Sequence, residues 1–378
     1  MRVCTRCIMD TTDPGIRFDE AGVCNHCREY DRVTLANALS EEQRQARFQR
    51  IIDRIRRTGR KKKYDSILGI SGGMDSSYVA YLVWKNGLRT LLVHMDNGWD
   101  SELAVKNIEH IVKTTGLDYY NHVIDWEEFR DLQRAYLRAS VVDVEVVTDQ
   151  AITALIFQLA NRFGVQFILN GHNRVTEAIM PSHGWYYTGK SDVANLLEIH
   201  RRFGTVPLKT YPLLSLAQIR YFQNVRGFRY VDLLNSVRYR PAEVRAILEP
   251  QFGWRDPGGK HYESLFTKFY QTYILPEKFN VDKRKPHLSS LILSGQITRA
   301  QALERMKQDL YPPEVLREER EYVLKKLGLS ESEFDQIMAE PPVPHESFPT
   351  EKSQFSYKVK RLVFAVIGRM RFWSRRNL

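Results

Sequence analysis

A glycine-rich segment, Ser71-Gly72-Gly73-Met74-Asp75-Ser76-Ser77, combines hydroxyl groups, a carboxylate and two adjacent glycines. An apolar run that ends at Ile70 precedes it and a helical pattern follows it, so the segment is predicted to join a strand to a helix. Adjacent glycines let the backbone approach a ligand closely, and the first turn of a helix offers free N–H groups at the positive end of its dipole. We therefore predict a phosphate or pyrophosphate site at this turn.

The order of residues separates this segment from other phosphate-binding loops. A Walker loop has Lys and then Ser or Thr after its last glycine, and no such sequence follows Gly73. The order Ser-Gly-Gly-x-Asp-Ser resembles the PP-loop of ATP pyrophosphatases, which split ATP into AMP and pyrophosphate. The resemblance implies that the nucleotide is bound by Ser71, Gly72, Gly73, Asp75, Ser76 and Ser77. The alternative is a glycine-rich turn that binds nothing.

The four cysteines form a second pattern, Cys4-x2-Cys7 and Cys24-x2-Cys27. Two thiolates on each of two tight turns can reach one ion in a tetrahedral sulfur site. We favour a structural zinc ion, and an iron–sulfur cluster is the alternative. So short a module buries little surface, so its metal would supply most of its folding energy.

No cysteine occurs beyond Cys27. A tRNA-thiolating enzyme that carries sulfur on a catalytic cysteine is therefore not expected, nor is an intrinsic glutaminase with a cysteine nucleophile. If the protein consumes ammonia, we expect that ammonia to come from solution or from a partner.

From Tyr64 onward, short apolar runs alternate with helical patterns, which predicts an α/β fold with a parallel sheet covered on both faces. The predicted strands are Ser66–Ile70, Thr90–Met95, Tyr119–Ile124 and Val165–Asn170. The predicted helices are Ser76–Asn86, Ser101–Thr115, Trp126–Ala139 and Asp149–Phe163. Because ligands of such sheets bind beyond the carboxyl ends of the strands, polar residues there are candidates for adenosine contacts and magnesium ligands. They are Asp96, Asn97, Gly171, His172, Asn173 and Glu177. For each alone, a loop residue with satisfied hydrogen bonds is the alternative.

The second half of the chain contains three further polar segments. A loop-like stretch at 181–204 contains Lys190, Asp192 and Asn195, and a solvated surface loop is its alternative interpretation. Gly258–Phe269 contains Lys260, His261, Glu263 and Lys268, and Lys283-Arg284-Lys285-Pro286-His287 follows it. Such a density of charged groups near glycines is what an anionic ligand or a proton-transfer site would need, and a solvated face is the alternative.

Patterns along the chain predict six segments. They are a four-cysteine zinc module (1–33), a basic helical linker (34–63), a PP-loop domain (64–215), a helical substrate or partner region (216–335), a Pro-rich linker (336–355) and a basic amphipathic tail (356–378). The tail would contact the inner membrane or a partner protein, and packing on its own domain is the alternative.

Composition narrows the class of protein. No apolar run is long enough to span a membrane and the N-terminal residues lack a signal-peptide core, so a cytoplasmic protein is expected. The net charge is +11, but eight basic residues lie from Lys352 to the end and seven between Arg54 and Lys63. This clustering favours local anion-binding surfaces, and nucleic acid is not the expected partner.

Taken together, most of the chain resembles the N-acetyl sugar amidotransferase family, a PP-loop branch with an adenine nucleotide alpha hydrolase-like fold. The resemblance rests on the cysteine pairs, the 71–77 loop, Asn170-Gly171-His172-Asn173 with Glu177, the 259–264 block and the 283–287 block. Such enzymes convert an acetamido group of a nucleotide-activated sugar into an acetamidino group for O-antigen and other surface polysaccharide synthesis. The resemblance implies ATP and Mg²⁺ as cofactors, and ammonia from a separate glutaminase with a cyclase-like partner.

The resemblance also implies roles for the remaining candidates. Asp75, Lys190, His261 and Glu263 are the catalytic candidates, and Asp192, Asn195, Lys260, Lys268, Arg284 and His287 are the substrate-binding candidates. Two alternative functions stay open, a PP-loop enzyme that modifies tRNA by lysidine-type chemistry and a non-catalytic assembly scaffold.

Overall fold

A five-stranded parallel sheet forms the centre of the computed structural model, which describes residues 1–36, 38–181 and 184–353. The strand order is β3-β2-β1-β4-β5. The strands are β1 (Ser66–Gly69), β2 (Thr90–Asp96), β3 (Tyr119–Val123), β4 (Phe167–Asn170) and β5 (Arg229–Asp232). The expected α/β fold with a parallel sheet is therefore confirmed.

Helices flank the sheet and make up most of the C-terminal region, as expected. Those up to the end of β4 are α1 (Asn25–Tyr30), α2 (Glu41–Gly59), α3 (Met74–Lys85), α4 (Glu102–Thr115), α5 (Trp126–Arg138) and α6 (Val146–Arg162). Those before residue 280 are α7 (Arg174–Glu177), α8 (Val193–Phe203), α9 (Leu216–Tyr221), α10 (Pro241–Phe252), α11 (Leu265–Phe269) and α12 (Leu275–Phe279). The last are α13 (Arg284–Leu293), α14 (Arg299–Met306), α15 (Pro313–Leu327) and α16 (Glu331–Ala339).

Alternate residues of the central strands enter two separate cores. Leu68, Leu92 and Leu169 face a core that α3, α4 and α10 complete, whereas Ile67 and Ile168 face a larger core that includes α5 and α6. Runs that are apolar at every position thus bury both faces of the sheet, as parallel sheets require. Burial on both faces fixes the register of β1 against its neighbours, and with it the position of the loop that follows.

The fifth strand is the main departure from the sequence-based expectation. The pattern after Pro212 predicts mostly helix, yet Arg229–Asp232 pairs with β4 in parallel, so the sheet extends beyond the predicted 64–215 segment. β5 is only four residues long and lies at the edge of the sheet, with two exposed and two half-buried residues. Four residues are too few to show a clear alternation of apolar and polar side chains. The strand forms because it pairs with β4, which is distant in the sequence, and a local pattern does not indicate such pairing.

The four-cysteine module packs on the C-terminal helices. Lys285 at the start of α13 forms an ion pair with Asp10 at 2.7 Å, and Ser289 Oγ accepts a hydrogen bond from the Ile8 amide. The guanidinium of Arg299 on α14 donates to the carbonyl oxygens of Cys4 and Cys7, both at 3.0 Å. The module is thus bound to the part of the chain that carries the 283–287 block.

The segment at 341–353 packs against α8 instead of extending into solvent. His345 is 3% exposed and stacks on Tyr187, with ring centroids 4.3 Å apart. The predicted tail at 356–378 lies outside the described residues. Within the part of the chain that the structure describes, no helix has the length and apolar character needed to cross a membrane.

Candidate functional site

The glycines of the 71–77 loop have little space around them. Gly72 has φ +78°, a conformation that side chains rarely adopt, and a Cβ there would lie 2.4 Å from the Ala104 carbonyl oxygen. A Cβ on Gly73 would lie 1.6 Å from Oε1 of Glu263. Gly171, at the end of β4, lies against the loop, because a Cβ there would be 3.0 Å from the Ser76 amide nitrogen.

Side chains outside the loop fix its backbone. The Gly72 carbonyl oxygen accepts hydrogen bonds from Trp254 Nε1 at 2.9 Å and from Asn107 Nδ2 at 3.0 Å. Within the loop, Ser76 Oγ accepts a hydrogen bond from the Ser71 amide at 3.2 Å. Gly73 is the N-cap of α3 and provides no side-chain cap, so the helix begins with backbone N–H groups that no side chain occupies. This geometry is that of an anion site.

Lys260 lies at the centre of the polar groups beside the loop. Its Nζ is 3.2 Å from Asp75 Oδ2, 2.8 Å from Thr176 Oγ1 and 2.6 Å from Glu177 Oε1. Burial opposes the charge of Lys260, but Asp75 and Glu177 outweigh burial and raise the pKa of the ammonium group. A fixed cation in this position would be able to neutralise charge on a phosphoryl group held at the turn.

Three histidines surround this cluster. His172 Nδ1 is 2.5 Å from Glu177 Oε2, and His261 Nε2 is 3.9 Å from Glu177 Oε1. His287 Nδ1 donates to the Thr176 carbonyl oxygen at 3.1 Å, and burial lowers the pKa of His287 to about 4. Burial opposes ionisation of Glu177, but its contacts with His172 and Lys260 outweigh burial and lower its pKa.

A cavity of about 320 Å³ opens at the carboxyl ends of β1, β2 and β4. Its lining includes Ser71, Asn97 and Gly171 on one side and Glu145 and Glu263 on the other. Burial raises the pKa of Glu263 to about 7 and that of Glu145 to about 8. The cavity adjoins the loop and is apolar along β4 and α6, which suits the base and ribose of a nucleotide.

A second cavity, of about 530 Å³, lies on the far side of His261. Its lining includes Lys260, His261, Lys283, Arg284, His287 and Arg305. His261 borders both cavities, so groups bound in the two would meet near His261 and Lys260. The cationic lining suits an anionic ligand.

The cysteine sulfurs have the geometry of a single tetrahedral ion. All four thiols are buried, and their Sγ atoms lie within 4.8 Å of one another. The distance is 3.8 Å between Cys4 and Cys27, 3.7 Å between Cys7 and Cys24, and 3.6 Å between Cys24 and Cys27. A zinc ion with bonds of about 2.3 Å requires edges of about 3.8 Å. A cluster of several irons and sulfides needs more space between its thiolates, so this donor set fits one metal ion.

Four predicted site residues lie apart from the two cavities. Lys190 contacts Asp143 and Asp149, and Lys268 pairs with Glu319 at 2.5 Å. Asp192 and Asn195 are buried and bind backbone groups of the 345–351 segment, at 2.8 Å in each case. Their assignment to catalysis or substrate binding stays a prediction that no contact in the structure supports.

The other predicted residues lie at the sheet edge with different partners. Asp96 accepts a hydrogen bond from the Gly98 amide and lines a separate depression beside β3. Asn173 is buried and caps α7 through Oδ1. Ser77 is buried in α3, and its Oγ has no hydrogen-bond partner within the described residues.

Sequence reasoning missed several residues of the site. Tyr239 donates a hydrogen bond to Asp75 Oδ1, and Thr176 and Lys283 contact or line the cluster. Glu145 lines the first cavity, where Thr267 Oγ1 donates to one carboxylate oxygen at 3.0 Å and the other has no partner in the described chain. Tyr239 follows β5, a strand that the sequence did not predict, so no local pattern indicates its position. Glu145 comes directly before α6, and a search for polar residues near predicted helix N-termini could have found it.

Comparisons with known proteins give one family match and several partial alignments. Residues 263–362 match the family model described as LPS biosynthesis protein WbpG-like, C-terminal domain. A 73-residue stretch, 19% of this chain and 22% of the other protein, is 34% identical to tRNA(Ile)-lysidine synthase from Chlamydia pneumoniae. The chain therefore spans about a fifth of that curated relative. The chain has a WbpG-like C-terminal domain, which supplies Glu263, Arg284 and His287.

Two solved structures also align with the chain. NH3-dependent NAD synthetase from Campylobacter jejuni subsp. jejuni is 14% identical, with 55% of this chain and 94% of that chain covered and a TM-score of 0.29. NMN synthetase from Francisella tularensis is 12% identical, with 73% of this chain and 100% of that chain covered and a TM-score of 0.30.

Proposed function

We propose that the protein is an AMP-forming amidotransferase that replaces the carbonyl oxygen of an acetamido sugar by nitrogen, with ATP and ammonia as co-substrates. The observation that carries the proposal is the meeting of two cavities at His261, which lines both, with Ser71 of the 71–77 loop in the lining of the first and Lys260 in the lining of the second. One cavity adjoins a phosphate-binding turn and suits a nucleotide. The other is cationic, and half of its lining residues, including Lys283, Arg284 and His287, lie in the WbpG-like match, whose description names LPS biosynthesis.

The first half of the reaction activates an unreactive amide. The acetamido oxygen attacks the α-phosphorus of ATP, the bond between the α-phosphorus and the bridging oxygen breaks, and pyrophosphate leaves. Free N–H groups in the first turn of α3 would hold the leaving phosphates, and the Lys260 ammonium would lie beside them. The product is an O-adenylyl imidate, whose oxygen is now part of a good leaving group.

The second half introduces nitrogen. Ammonia attacks the imidate carbon, a proton leaves the nitrogen, and AMP departs with the former carbonyl oxygen to leave an acetamidino group. Glu263 would accept this proton, because its carboxyl lies against Gly73. Its pKa of about 7 means that a fraction of the carboxylate is ionised at neutral pH and is basic enough to accept a proton. His261 borders both cavities and is the second candidate for moving a proton.

Two metals belong to the proposal. Asp75 would hold a magnesium ion, which neutralises charge on the departing pyrophosphate when bound. In the structure one Asp75 carboxylate oxygen accepts a hydrogen bond from Lys260 and the other accepts one from Tyr239. The four cysteines would hold zinc with a structural role, because four thiolates leave no open coordination position for a substrate.

The proposal also includes the source of the ammonia and the cellular location of the protein. No cysteine outside the module is available as a glutaminase nucleophile, so ammonia would come from a separate glutaminase with a cyclase-like partner. The acceptor would be a nucleotide-activated N-acetyl sugar on the way to O-antigen. We expect the protein in the cytoplasm, with the tail at the inner membrane or on a partner.

The proposal is tested by incubating the protein with ATP, Mg²⁺, ammonium and a panel of UDP-linked acetamido sugars, with product masses and AMP read together. We expect one sugar to become about one mass unit lighter in step with AMP release, because NH replaces O. AMP release with an unchanged mass for every sugar would contradict the assigned acceptor.

A tRNA-modifying enzyme of the lysidine type is the second candidate function, favoured by the partial alignment with tRNA(Ile)-lysidine synthase. That alignment covers a fifth of the chain, whereas the WbpG-like match covers residues 263–362. The same assay with tRNA and lysine in place of sugar and ammonium separates the two, because only one acceptor should drive AMP release.

A further inference from the structure

An open groove of about 710 Å³ runs between α2 and the β5 edge of the sheet; it shares Tyr230 with the first cavity of the site and no described lining residue with the second. Every basic residue that lines it is an arginine. Arg44, Arg47 and Arg54 lie on α2, and Arg174, Arg229, Arg238 and Arg240 lie on the opposite wall. These residues are far apart in sequence, and the fold collects them. Only two carboxylates, Glu41 and Asp232, line the groove with them.

Several of these charges lack a partner. Within residues 1–36, 38–181 and 184–353, no ion pair or side-chain hydrogen bond engages Arg47, Arg54 or Arg174, and all three are exposed. Arg238 and Arg240 share one carboxylate oxygen of Glu243, each at 3.4 Å. Exposed arginines that face one another across a groove repel, so the free groove favours an anionic ligand.

The arginines of α2 repeat at helical spacing. Arg47, Arg50, Arg54 and Arg57 line a depression that continues the groove along α2. Steps of three and four residues keep them on one face and separate them by roughly 5 Å along the helix axis. A row of regularly spaced cations matches a ligand with regularly spaced anions better than it matches one phosphate.

Aromatic rings accompany the charges. Tyr30, Tyr230 and Tyr239 line the groove; Tyr30 and Tyr239 are buried, at 7% and 4% exposed, whereas Tyr230 is 43% exposed and presents its ring to a ligand. A planar base can stack on a tyrosine ring while arginines hold the adjacent phosphates with paired N–H groups. An acidic peptide has no base to stack, and a membrane surface is too flat to meet both walls of a groove.

We propose that this groove binds a single-stranded polynucleotide, with phosphates on the α2 arginines and a base stacked on Tyr230. The proposal goes beyond the sugar amidotransferase function and does not depend on it. It also revises the expectation from composition, because basic residues that are scattered in the sequence form one continuous surface in the fold.

The test measures the fluorescence anisotropy of labelled RNA and DNA strands of about 12 nucleotides with the full chain. We expect binding that weakens steeply between about 50 and 200 mM salt, because each phosphate contact releases counterions. Comparison of RNA with DNA identifies the source of the strand. Polyglutamate and phosphatidylglycerol vesicles are the competing probes. No binding of either strand at low salt, or equal binding of polyglutamate or vesicles, would overturn the proposal.

Charge reversal locates the binding. R47E/R54E should weaken strand binding by about tenfold or more, and R174E on the opposite wall should weaken it independently. K106E/K307E is the control for R47E/R54E, since it makes the same charge change at exposed lysines that do not line the groove. R47E/R54E should keep wild-type melting behaviour and ATP turnover. Equal weakening by the groove pair and the control pair would also overturn the proposal.

Discussion

The four-cysteine module and the 71–77 loop are both marked by residue spacing, yet the structure gives them opposite character. The cysteines form a closed site, in which four buried thiols face only one another and backbone amides. The loop forms an open site, in which Asp75 pairs with Lys260 beside two cavities. Closed metal sites contribute folding energy, whereas open sites are available to substrates. The two regions should therefore respond to mutation in different ways.

The largest effect should follow loss of the closed site. C24S/C27S removes two of the four thiolates, so we expect loss of bound zinc and a fall in apparent Tm of about 10 °C or more. Zinc content by elemental analysis and thermal unfolding measure both. E29Q is the control, because Glu29 is an exposed residue of the same module that pairs with the exposed Arg32. Wild-type Tm in a zinc-free variant would contradict a structural metal.

The open site should behave in the reverse way. D75N keeps the size of the side chain but removes the charge that faces Lys260, so AMP formation should fall at least 100-fold while the Tm stays near wild type. The control is D335N, because Asp335 is 67% exposed on α16. Near-normal AMP formation by D75N would remove Asp75 from the mechanism and weaken the contrast between the two regions.

A smaller effect should follow from filling the space beside the loop. G73A places a methyl group where the Glu263 carboxylate lies, so that carboxylate must move and turnover should fall about tenfold or more. G116A is the control. Gly116 follows α4 with a positive φ of +64°, which disfavours a side chain, but nothing lies within 4 Å of a new Cβ there. Its expected effect is a loss of about 1 kcal/mol in stability with normal turnover. Equal turnover in the two variants would contradict the close contact with Glu263.

The smallest effect concerns pH. Burial raises the pKa of Glu145 to about 8 from the usual 4.5, so the folded state binds this proton more tightly than the unfolded state. The resulting stability is complete below pH 4.5 and is lost as pH rises towards 8. The glutamine of E145Q does not titrate. Between pH 5 and 8 the free energy of unfolding of E145Q should therefore fall less than that of the wild type, and the two decreases should differ by about 1 kcal/mol or more.

Urea unfolding at the two pH values measures this difference, with the exposed Glu314 changed to glutamine as the control. A pH dependence of E145Q that matches wild type would mean that Glu145 is already ionised in the folded protein at neutral pH.

The contrast also explains what the sequence could reveal. The four predicted strands and the four-cysteine cluster carry strong local signals, and both are confirmed. Predicted helices differ at their ends, since α3 begins at Met74 and not Ser76, and α6 at Val146 and not Asp149. Helix ends depend on capping and on neighbouring segments more than on periodicity.

The site was only partly predictable for a related reason. Strand ends of a parallel sheet converge, so His172 and Glu177 could be expected near the loop. Lys260 lies in a turn between α10 and α11, and its contact with Glu177 joins segments far apart in the chain. His287 lies in α13 and reaches the Thr176 carbonyl oxygen because α13 packs on α7. Tyr239 reaches Asp75 from a turn after a strand that has no periodic signal. Contacts between segments distant in the chain are decided by packing that a single sequence does not display.

The most direct test of the central claim follows one oxygen atom. An acetamido sugar nucleotide labelled with ¹⁸O in the acetyl carbonyl is incubated with the protein, ATP, Mg²⁺ and ammonium, and the AMP is analysed by mass spectrometry. Adenylylation of the carbonyl oxygen predicts that the label passes to AMP as the sugar gains nitrogen. Unlabelled AMP, or ADP and phosphate in its place, would contradict activation of the amide by adenylyl transfer at the 71–77 loop.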